Sequence, residues 1–424
     1  MRRREYSGRD VKQVNVEELI QGREGQPAWI GTDVGKYELS IVVHWGERQF
    51  ERPWKVRNPL GIPQVIEVLR RLASGRKLIL AMEPSGTYGD AFRQALGDAG
   101  LTVHRVHPKA AHDYAEVFDG VPSQHDGKDA ALVAELARMG KSAAWTVGPA
   151  DETQQQIEYW VGRMDIHRRM LQTWTGRLEA SLARHWPEVV QRLKCCSPTL
   201  LHALIEYGGP AALAVDPQAA GKLRSWSRGL LREEASQGIV HSARTTVGVR
   251  MSRWDIRRLR DLAQGAAAAR REVKRAQREL AKLAARLATI QTMASAVGLA
   301  TACVLWVCLG DPHNYPCAEA YVKAMGLNLA ERSSGVYRGR LKISKRGYGM
   351  VRYWLYLASM RLLKEAPVRR WFEAKKQRDG QRGGKAMVGV MRRLGMALHN
   401  VGAYGEAFEA WRLFPGLRRH AKGR

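Results

Sequence analysis

The sequence predicts an α/β domain followed by a longer, mostly helical part. Three observations support this fold class: strand-like segments are confined to residues 28–106, two long heptad-spaced segments follow, and positive charge is concentrated outside the first domain. At 424 residues the chain has room for two or three cores. We predict a flexible arm (1–27), an α/β domain (28–150), a coiled coil with a helical insertion (151–291) and a basic C-terminal domain (292–424).

The order of strands and helices specifies the kind of α/β domain. Short β-branched segments bounded by turn residues predict strands, and amphipathic segments predict helices. Three strands in succession, followed by alternating helices and strands, is the order of the ribonuclease-H-like fold. The predicted strands are Ala28–Asp33, Tyr37–Trp45, Arg48–Val56, Lys77–Met82 and Leu101–Val106, and the predicted helices are Pro63–Ala73, Asp90–Ala99 and further helices up to Gly140.

Four carboxylates occupy positions where this domain could bring them together. Asp33 ends the first strand, Glu83 ends the fourth, and Asp126 and Asp129 share one face of a helix start. Such oxygen ligands suit Mg²⁺. A structural role is the alternative, because Ser123 and Asp126 have capping-box spacing and Asp129 favours a helix N-terminus in any case.

The middle of the chain predicts an antiparallel coiled coil. A helix over 153–186 and a heptad pattern from Ala266 to Ile290 have matching apolar stripes, and residues 198–250 fit a small helical insertion at the tip. The pair could join copies of the chain or serve as a plain structural stalk.

The charge distribution indicates a polyanion-handling protein. The net charge is +28, yet residues 28–150 hold 15 Lys/Arg against 14 Asp/Glu, whereas residues 366–424 hold 14 against 4. Basic regions can contact phosphates while the near-neutral domain keeps its carboxylates available. The sequence contains no apolar run of membrane-spanning length and its N-terminus does not resemble a secretory signal, so we expect a cytoplasmic, nucleoid-associated protein. Five cysteines match no zinc or disulfide pattern.

A serine pair in a cationic stretch is the candidate nucleophile. Ser333 and Ser334 precede Gly335, and arginine forks around them could neutralise a phosphate. The stretch contains no histidine, so a base or metal has to come from elsewhere; a solvated basic turn is the alternative. A basic amphipathic helix is predicted over 382–400. The candidate nucleic-acid-binding residues are Arg332, Arg338, Arg340, Lys342, Lys345, Arg346, Arg352, Lys385, Arg392 and Arg393.

These motifs together resemble the insertion sequence 110 family of transposases. The resemblance rests on Gly31-Thr32-Asp33, Met82-Glu83-Pro84-Ser85-Gly86-Thr87-Tyr88, Asp126-Gly127-Lys128-Asp129-Ala130, Gly326-Leu327, Ser333-Ser334-Gly335, Ile343-Ser344-Lys345-Arg346-Gly347 and Arg352. It runs from about Ala28 to about Phe408. The sequence departs from the family in having Asn328-Leu329 after Gly-Leu and in its serine doublet.

The resemblance implies a bridge-RNA-guided recombinase with a RuvC-like domain and a catalytic-serine domain. It implies that Asp33, Glu83, Asp126 and Asp129 bind Mg²⁺ and that Ser334 forms a transient phosphoserine bond with DNA. The implied partners are donor and target DNA, a structured guide RNA, and further copies of the chain in a dimer or tetramer.

Three other functions fit parts of the sequence. A metal-dependent junction-resolving nuclease would use the four carboxylates alone. A catalytically silent RNA-binding scaffold would use only the basic surface. An actin-like phosphotransferase would use Asp33 and Gly35 in a phosphate loop, but it does not explain the net charge of +28.

Overall fold

A computed structural model gives the fold of two compact units, Met1–Pro149 and Ala150–Arg424. It describes residues 7–46, 49–84, 86–120, 125–145, 151–330 and 342–414, and the backbone alone of residues 333–334 and 337–338. The predicted combination of an α/β part with a helical part is confirmed.

The N-terminal unit is built on a mixed sheet whose described strands follow the order β1-β4-β3-β2-β5-β6-β7. Strand β2 is antiparallel to β3 and parallel to β5, and β5 is parallel to β6. The strands are β1 Arg9–Asp10, β2 Ala28–Val34, β3 Glu38–His44, β4 Trp54–Arg57, β5 Leu78–Met82, β6 Val103–Val106 and β7 Ser142–Ala144. The helices are α1 Val16–Ile20, α2 Ile62–Ala73, α3 Asp90–Asp98, α4 Pro108–Asp119 and α5 Asp126–Arg138.

Helices cover both faces of this sheet. Apolar side chains of α1, α2 and α3 share one core with inward-facing residues of β2–β6, including Ile30 and Leu80. Helices α4 and α5 cover the opposite face, where Leu132 and Leu136 pack with Ala81 and Val106. Burial on both faces explains why the central strands are almost continuously apolar.

The prediction of a flexible arm is wrong for residues 9–20, which form a strand and two short helices. Strand β1 pairs with β4, and a 3-10 helix, Val11–Gln13, leads to α1. Val11 and Leu19 are buried in the core shared with α2. These elements are too short to show a periodic pattern, so the sequence gives little sign of them. The predicted third strand is also shorter than expected, since β4 begins at Trp54.

The C-terminal unit begins with a pair of long antiparallel helices, α6 and α12. Arg163 pairs with Glu272 at 2.6 Å, and Gly265 lies against the Trp174 ring. The five described helices between α6 and α12 form a separate core with the C-terminal end of α6 and the N-terminal end of α12. The bounds are α6 Glu152–His185, α7 Val189–Arg192, α8 Pro198–Tyr207, α9 Pro210–Val215, α10 Ala219–Trp226, α11 Glu233–Arg244 and α12 Arg253–Ala284.

The remaining elements pack around the near ends of the long helices. Ile157 of α6 and Leu280 of α12 lie in the same core as Leu305, Leu355 and Leu394, so residues 151–291 and 292–424 do not have wholly separate cores. The helices are α13 Ala288–Val297, α14 Leu299–Leu309, α15 Ala318–Ala324, α16 Gly349–Leu362, α17 Ala366–Arg378 and α18 Gly383–Tyr404, with 3-10 helices Pro312–Asn314 and Ala410–Leu413. The short strands are β8 Leu329–Ala330, β9 Ser333–Ser334, β10 Tyr337–Arg338 and β11 Lys342–Ile343.

The predicted heptad helix ends earlier than expected. Helix α12 stops at Ala284, and Ile290 lies in α13, where it joins the core around α14. The apolar spacing continues across this break because both helices bury residues in that core. Among the described helices, none is both long enough and apolar enough to span a membrane.

Gly31 provides a direct test of this packing. A Cβ atom at Gly31 would lie 2.0 Å from the Ala130 carbonyl oxygen and 2.4 Å from the Ala134 nitrogen, so α5 has to move to admit one. We therefore expect Gly31→Ala to lower the free energy of unfolding by about 1–3 kcal/mol, the usual cost of overpacking. Urea denaturation measures this change.

Gly162→Ala is the matched control for that substitution. A Cβ atom at Gly162, on α6, meets nothing within 4 Å, and alanine favours a helix more than glycine does. We expect this variant to be as stable as the wild type or slightly more stable. Equal stability of the Gly31→Ala and Gly162→Ala variants would show that α5 does not pack closely on β2.

Candidate metal site and nucleic-acid interface

Two parallel strands place the first two candidate carboxylates at one edge of the sheet. In the pairing of β2 with β5, Thr32 is the partner of Met82. The next residues along the two strands are Asp33 and Glu83, which therefore lie side by side where the strands end. Both side chains are half-buried.

Helix α5 brings the other two carboxylates to the same edge. Asp126 and Asp129 occupy its first turn, and the close contact of Gly31 with Ala130 and Ala134 holds that part of the helix against β2. Gly31 and Asp33 are two residues apart on a strand and so face the same side of the sheet.

The start of α5 shows that Asp126 is not part of a capping box. His125 is the N-cap, and its Nδ1 accepts a hydrogen bond from the Lys128 backbone N–H at 3.3 Å. Asp126 is therefore the first residue of the helix rather than the third residue of a capping box starting at Ser123, which itself lies outside the described residues. The favourable interaction of both acids with the helix dipole remains.

The four carboxylates form one electrostatic group, here called the acidic cluster. Burial and the charges of Asp129 and Asp126 raise the pKa of Asp33 to about 6. Burial and the charges of Asp33 and Asp129 raise the pKa of Glu83 to about 7. The pKa of Asp129 is also raised, by burial and by the charge of Asp126. Uncompensated negative charge therefore accumulates at this edge of the sheet.

The carboxylate oxygens of the acidic cluster are suitable ligands for a divalent cation, but their side chains are not yet arranged around a single point. Among the described residues, no three His, Cys, Asp or Glu side chains form a ready ligand set. Coulomb repulsion acts over longer distances than metal coordination, so carboxylates can raise one another's pKa while their oxygens remain apart. Hard oxygen donors with excess negative charge fit Mg²⁺.

A buried hydrogen bond between His44 and Glu135 fixes the C-terminal half of α5 to the sheet. His44 Nε2 lies 2.7 Å from Glu135 Oε2, and the Gly46 backbone N–H donates to His44 Nδ1 at 2.9 Å. Nδ1 is thus an acceptor, which leaves the proton on Nε2 to be donated to Glu135. Burial lowers the pKa of His44, and Arg138 lowers the pKa of Glu135.

Lys128 offsets part of the charge beside the acidic cluster. Its side chain is buried, and its Nζ donates to Asp119 Oδ1 at 2.7 Å. The sequence did not predict a role for Lys128 or for the pair His44–Glu135. The position of His44, directly after the apolar residues Ile41-Val42-Val43, could have indicated that this histidine is buried.

The serine motif lies on two nested antiparallel ladders, here called the serine hairpin. Leu329 and Ala330 pair with Ile343 and Lys342 in the outer ladder, and Ser333 and Ser334 pair with Arg338 and Tyr337 in the inner one. Ser334 is thus the last residue of strand β9. The side chains of Ser334 and Arg338, and the whole of Arg332 and Arg340, lie outside the described residues.

Five of the predicted nucleic-acid-binding residues line one surface groove, here called the basic groove. It has a volume of about 1710 Å³ and lies among β8, β11, α17, α18 and the segment after α18. The five predicted residues are Lys342, Lys345, Lys385, Arg392 and Arg393, and the sequence analysis did not assign Trp371, Lys375, Arg382, Phe408 or Arg412, which also line the groove. They come from separate elements, so no local motif identifies them.

Some of the predicted cations also hold the protein backbone. Arg352 donates to the carbonyl oxygens of Met325 and Gly347 at 3.3 and 2.9 Å. Arg392 donates to the Leu327 carbonyl, and Arg393 donates to the Leu413 carbonyl at 2.6 Å. These three arginines therefore have structural roles, whereas Lys342, Lys345 and Arg346 are exposed.

Two models of known protein families match separate parts of the chain. Residues 30–187 match a family model for the DEDD transposase of the IS110 type, described as "Transposase". Residues 285–374 match a second model, described as "Transposase IS116/IS110/IS902 family". The first match contains the acidic cluster and the second contains the serine hairpin. No curated protein matches the chain significantly.

The raised pKa of Asp33 predicts a pH-dependent stability in metal-free buffer. Because its folded-state pKa, about 6, exceeds the ordinary value of 3.8, ionised Asp33 destabilises the fold above about pH 6, and this penalty disappears as the pH falls towards 4. We expect Asp33→Asn to stabilise the protein at pH 8 by about 1 kcal/mol, a value reduced for partial solvent exposure, and to have little effect at pH 4.5.

Urea denaturation at the two pH values, with EDTA present, measures this difference. Asp98→Asn is the matched control, because Asp98 is exposed on α3 and lies outside the acidic cluster, and we expect a smaller stability gain at pH 8 from it than from Asp33→Asn. If Asp33→Asn were less stable than the wild type at pH 8, the acidic cluster would not carry uncompensated charge.

Proposed function

Because this chain carries the domains of IS110-family transposases, we propose that it is an RNA-guided, site-specific DNA recombinase. Strand exchange proceeds through a serine–DNA phosphodiester. The observation that supports the proposal is the position of four carboxylates within a match to a DEDD transposase: Asp33 and Glu83 lie at adjacent strand ends, and Asp126 and Asp129 occupy the first turn of α5. The pKa values of Asp33 and Glu83, which are raised by burial and by their acidic neighbours, agree with this position. The order β4-β3-β2-β5-β6, antiparallel and then parallel, supports a ribonuclease-H-like domain.

The acidic cluster is the proposed Mg²⁺ site. Asp33, Glu83, Asp126 and Asp129 would hold the ion, and the raised pKa values of Asp33 and Glu83 are what is expected of carboxylates that lack a counter-charge. Bound Mg²⁺ supplies Lewis-acid stabilisation of charge on the phosphate. The protein contributes a rigid edge of two strands and one helix that keeps the four acids together.

Ser334 is the proposed nucleophile. Its Oγ forms a bond to the DNA phosphorus while the bond from phosphorus to one sugar oxygen breaks, and that oxygen leaves with the proton that the serine gives up. A sugar hydroxyl of the second DNA then attacks the phosphoserine, and Oγ regains a proton. The number of phosphodiester bonds is unchanged, so the exchange needs no external energy source.

Cations of the C-terminal unit are proposed to hold the nucleic acids. Exposed Lys342, Lys345 and Arg346 adjoin the serine hairpin and can neutralise phosphate charge. Base pairing to a structured RNA would choose the donor and target sites, as the resemblance implies, while the protein binds backbone. The proposed assembly contains two or four copies at the nucleoid.

A metal-dependent junction nuclease is the second candidate. It needs only the acidic cluster, whose carboxylates already raise the pKa values of Asp33 and Glu83, and it has no need of the Ser334 hydroxyl. A nuclease of this kind transfers the phosphate to water and leaves no bond between protein and DNA. The two functions therefore differ in one covalent product.

Recovery of that covalent product tests the proposal. Full-length protein, Mg²⁺, copurified RNA and end-labelled donor and target DNA are incubated and then denatured. We expect a labelled adduct with the wild type, a loss of at least a thousandfold with Ser334→Ala because the nucleophile is removed, and a similar loss with Asp33→Ala.

Ser333→Ala is the matched control, and it should retain the adduct. An adduct that persists in Ser334→Ala but disappears in Ser333→Ala would assign the attack to Ser333 instead. DNA cleavage without any adduct, including under quenched single-turnover conditions, would establish the nuclease function in place of the recombinase.

A further inference from the structure

The basic groove is lined by both apolar and cationic side chains. Leu329 and Ile343 of the serine hairpin form part of its lining, together with Trp371, Val388 and Phe408. These side chains are partly accessible to solvent rather than buried. A groove of this size, about 1710 Å³, is larger than a gap between packed helices requires.

The charges around the groove select a polyanion. The cations are Lys342, Lys345, Lys375, Arg382, Lys385, Arg392, Arg393 and Arg412, against the acids Glu406 and Glu409. Glu409 is paired with Arg412 at 2.9 Å, and Lys375 and Lys385 share Asp379. Within the described part of the chain, the structure gives Lys342, Lys345 and Arg382 no ion pair, so their charge is available to a ligand.

The solvent-accessible apolar side chains of the groove distinguish between kinds of nucleic acid. A duplex covers its base faces by stacking and presents its phosphates and groove edges to a protein. An unpaired strand exposes base faces that gain from aromatic and apolar contacts, while its phosphates follow a line of cations. Trp371 and Phe408 line the groove together with its cations and match the second pattern. The Trp371 ring is held in place because it stacks on Phe414, with 4.3 Å between ring centroids, and Arg393 lies over both rings.

We propose that the basic groove binds an unpaired DNA strand next to the phosphate that the serine attacks. DNA is the favoured ligand because the groove is continuous with the serine hairpin. Leu329, Lys342 and Ile343 line the groove and also form the outer ladder of the hairpin that carries Ser334. The assignment of the strand to the cleaved DNA rests on the proposed function. The preference for an unpaired strand rests only on the side chains that line the groove.

Gly384 allows the groove to be blocked without disturbing the fold. It lines the groove in the first turn of α18, it is exposed, and a Cβ atom there meets nothing within 4 Å. A tryptophan at this position can extend into the groove. Gly221, an exposed glycine of α10 that also has open space around it, gives a matched control.

Photocrosslinking with 4-thiothymidine in a 12-nucleotide single-stranded DNA tests the proposal. The full-length protein is crosslinked, digested and mapped. We expect crosslinks in peptides that contain Trp371 or Phe408, reduced at least tenfold in Gly384→Trp and in Arg382→Glu, and unchanged within twofold in Gly221→Trp. Thermal unfolding should show all three variants folded.

Unlabelled nucleic acids that compete with the crosslinked oligonucleotide can overturn the proposal. The same oligonucleotide annealed into a duplex should compete at least tenfold less well than the unlabelled single strand. Stronger competition by the duplex, or by single-stranded RNA of the same sequence, would overturn it in favour of duplex or guide-RNA binding, as would undiminished crosslinking in Gly384→Trp.

Failure of this proposal can be told apart from failure of the recombinase function. Ser334→Ala should keep the groove crosslinks while losing the covalent adduct. Groove crosslinks without an adduct in the wild type would leave the groove assignment in place and remove the recombinase. An unchanged adduct yield in Gly384→Trp would show that the cleaved strand does not occupy the groove.

Discussion

The contact of helix α5 with strand β2 at Gly31 is the constraint on which the acidic cluster depends. The absence of a side chain at Gly31 lets the backbone of α5 lie directly on the strand, at Ala130 and Ala134. Asp129 and Asp126 are thereby held beside Asp33, two residues beyond the glycine. The buried pair of His44 and Glu135 fixes the same helix at the residue that follows Ala134. A small shift of α5 would separate acids that lie on different elements.

This arrangement holds like charges together at a cost to stability. Desolvation and mutual repulsion raise the pKa values of Asp33, Glu83 and Asp129, so the folded protein concentrates charge at this edge that Lys128 and His125 offset only in part. Structural sites usually avoid such conflict, whereas functional sites keep it because a ligand relieves it. The near-neutral charge of the N-terminal domain is consistent with a cation-binding role for the acidic cluster, since additional lysines nearby would compete with the cation for the carboxylates.

The sequence predicts those features that depend on local pattern. Asp33 and Glu83 could be placed at strand ends, and Asp129 in a first helical turn, because period-two and helical patterns define those ends. Residues 9–20 could not be placed, since a two-residue strand and a five-residue helix show no periodicity. The basic groove was not predicted as a groove because its residues, from Leu329 to Leu413, come together only through tertiary packing. Likewise, the carbonyl acceptors of Arg352 and Arg392 become visible only in the folded backbone.

Iron-mediated backbone cleavage tests the central claim, that four acids from three elements hold one divalent ion. Fe²⁺ replaces Mg²⁺ in the full-length protein, and ascorbate with peroxide generates hydroxyl radicals that cut the chain near the bound ion. The account predicts cuts around residues 31–34, 82–84 and 126–130, all of them lost together in Asp33→Asn. Cuts confined to one of these segments, or cuts that persist in Asp33→Asn, would contradict it.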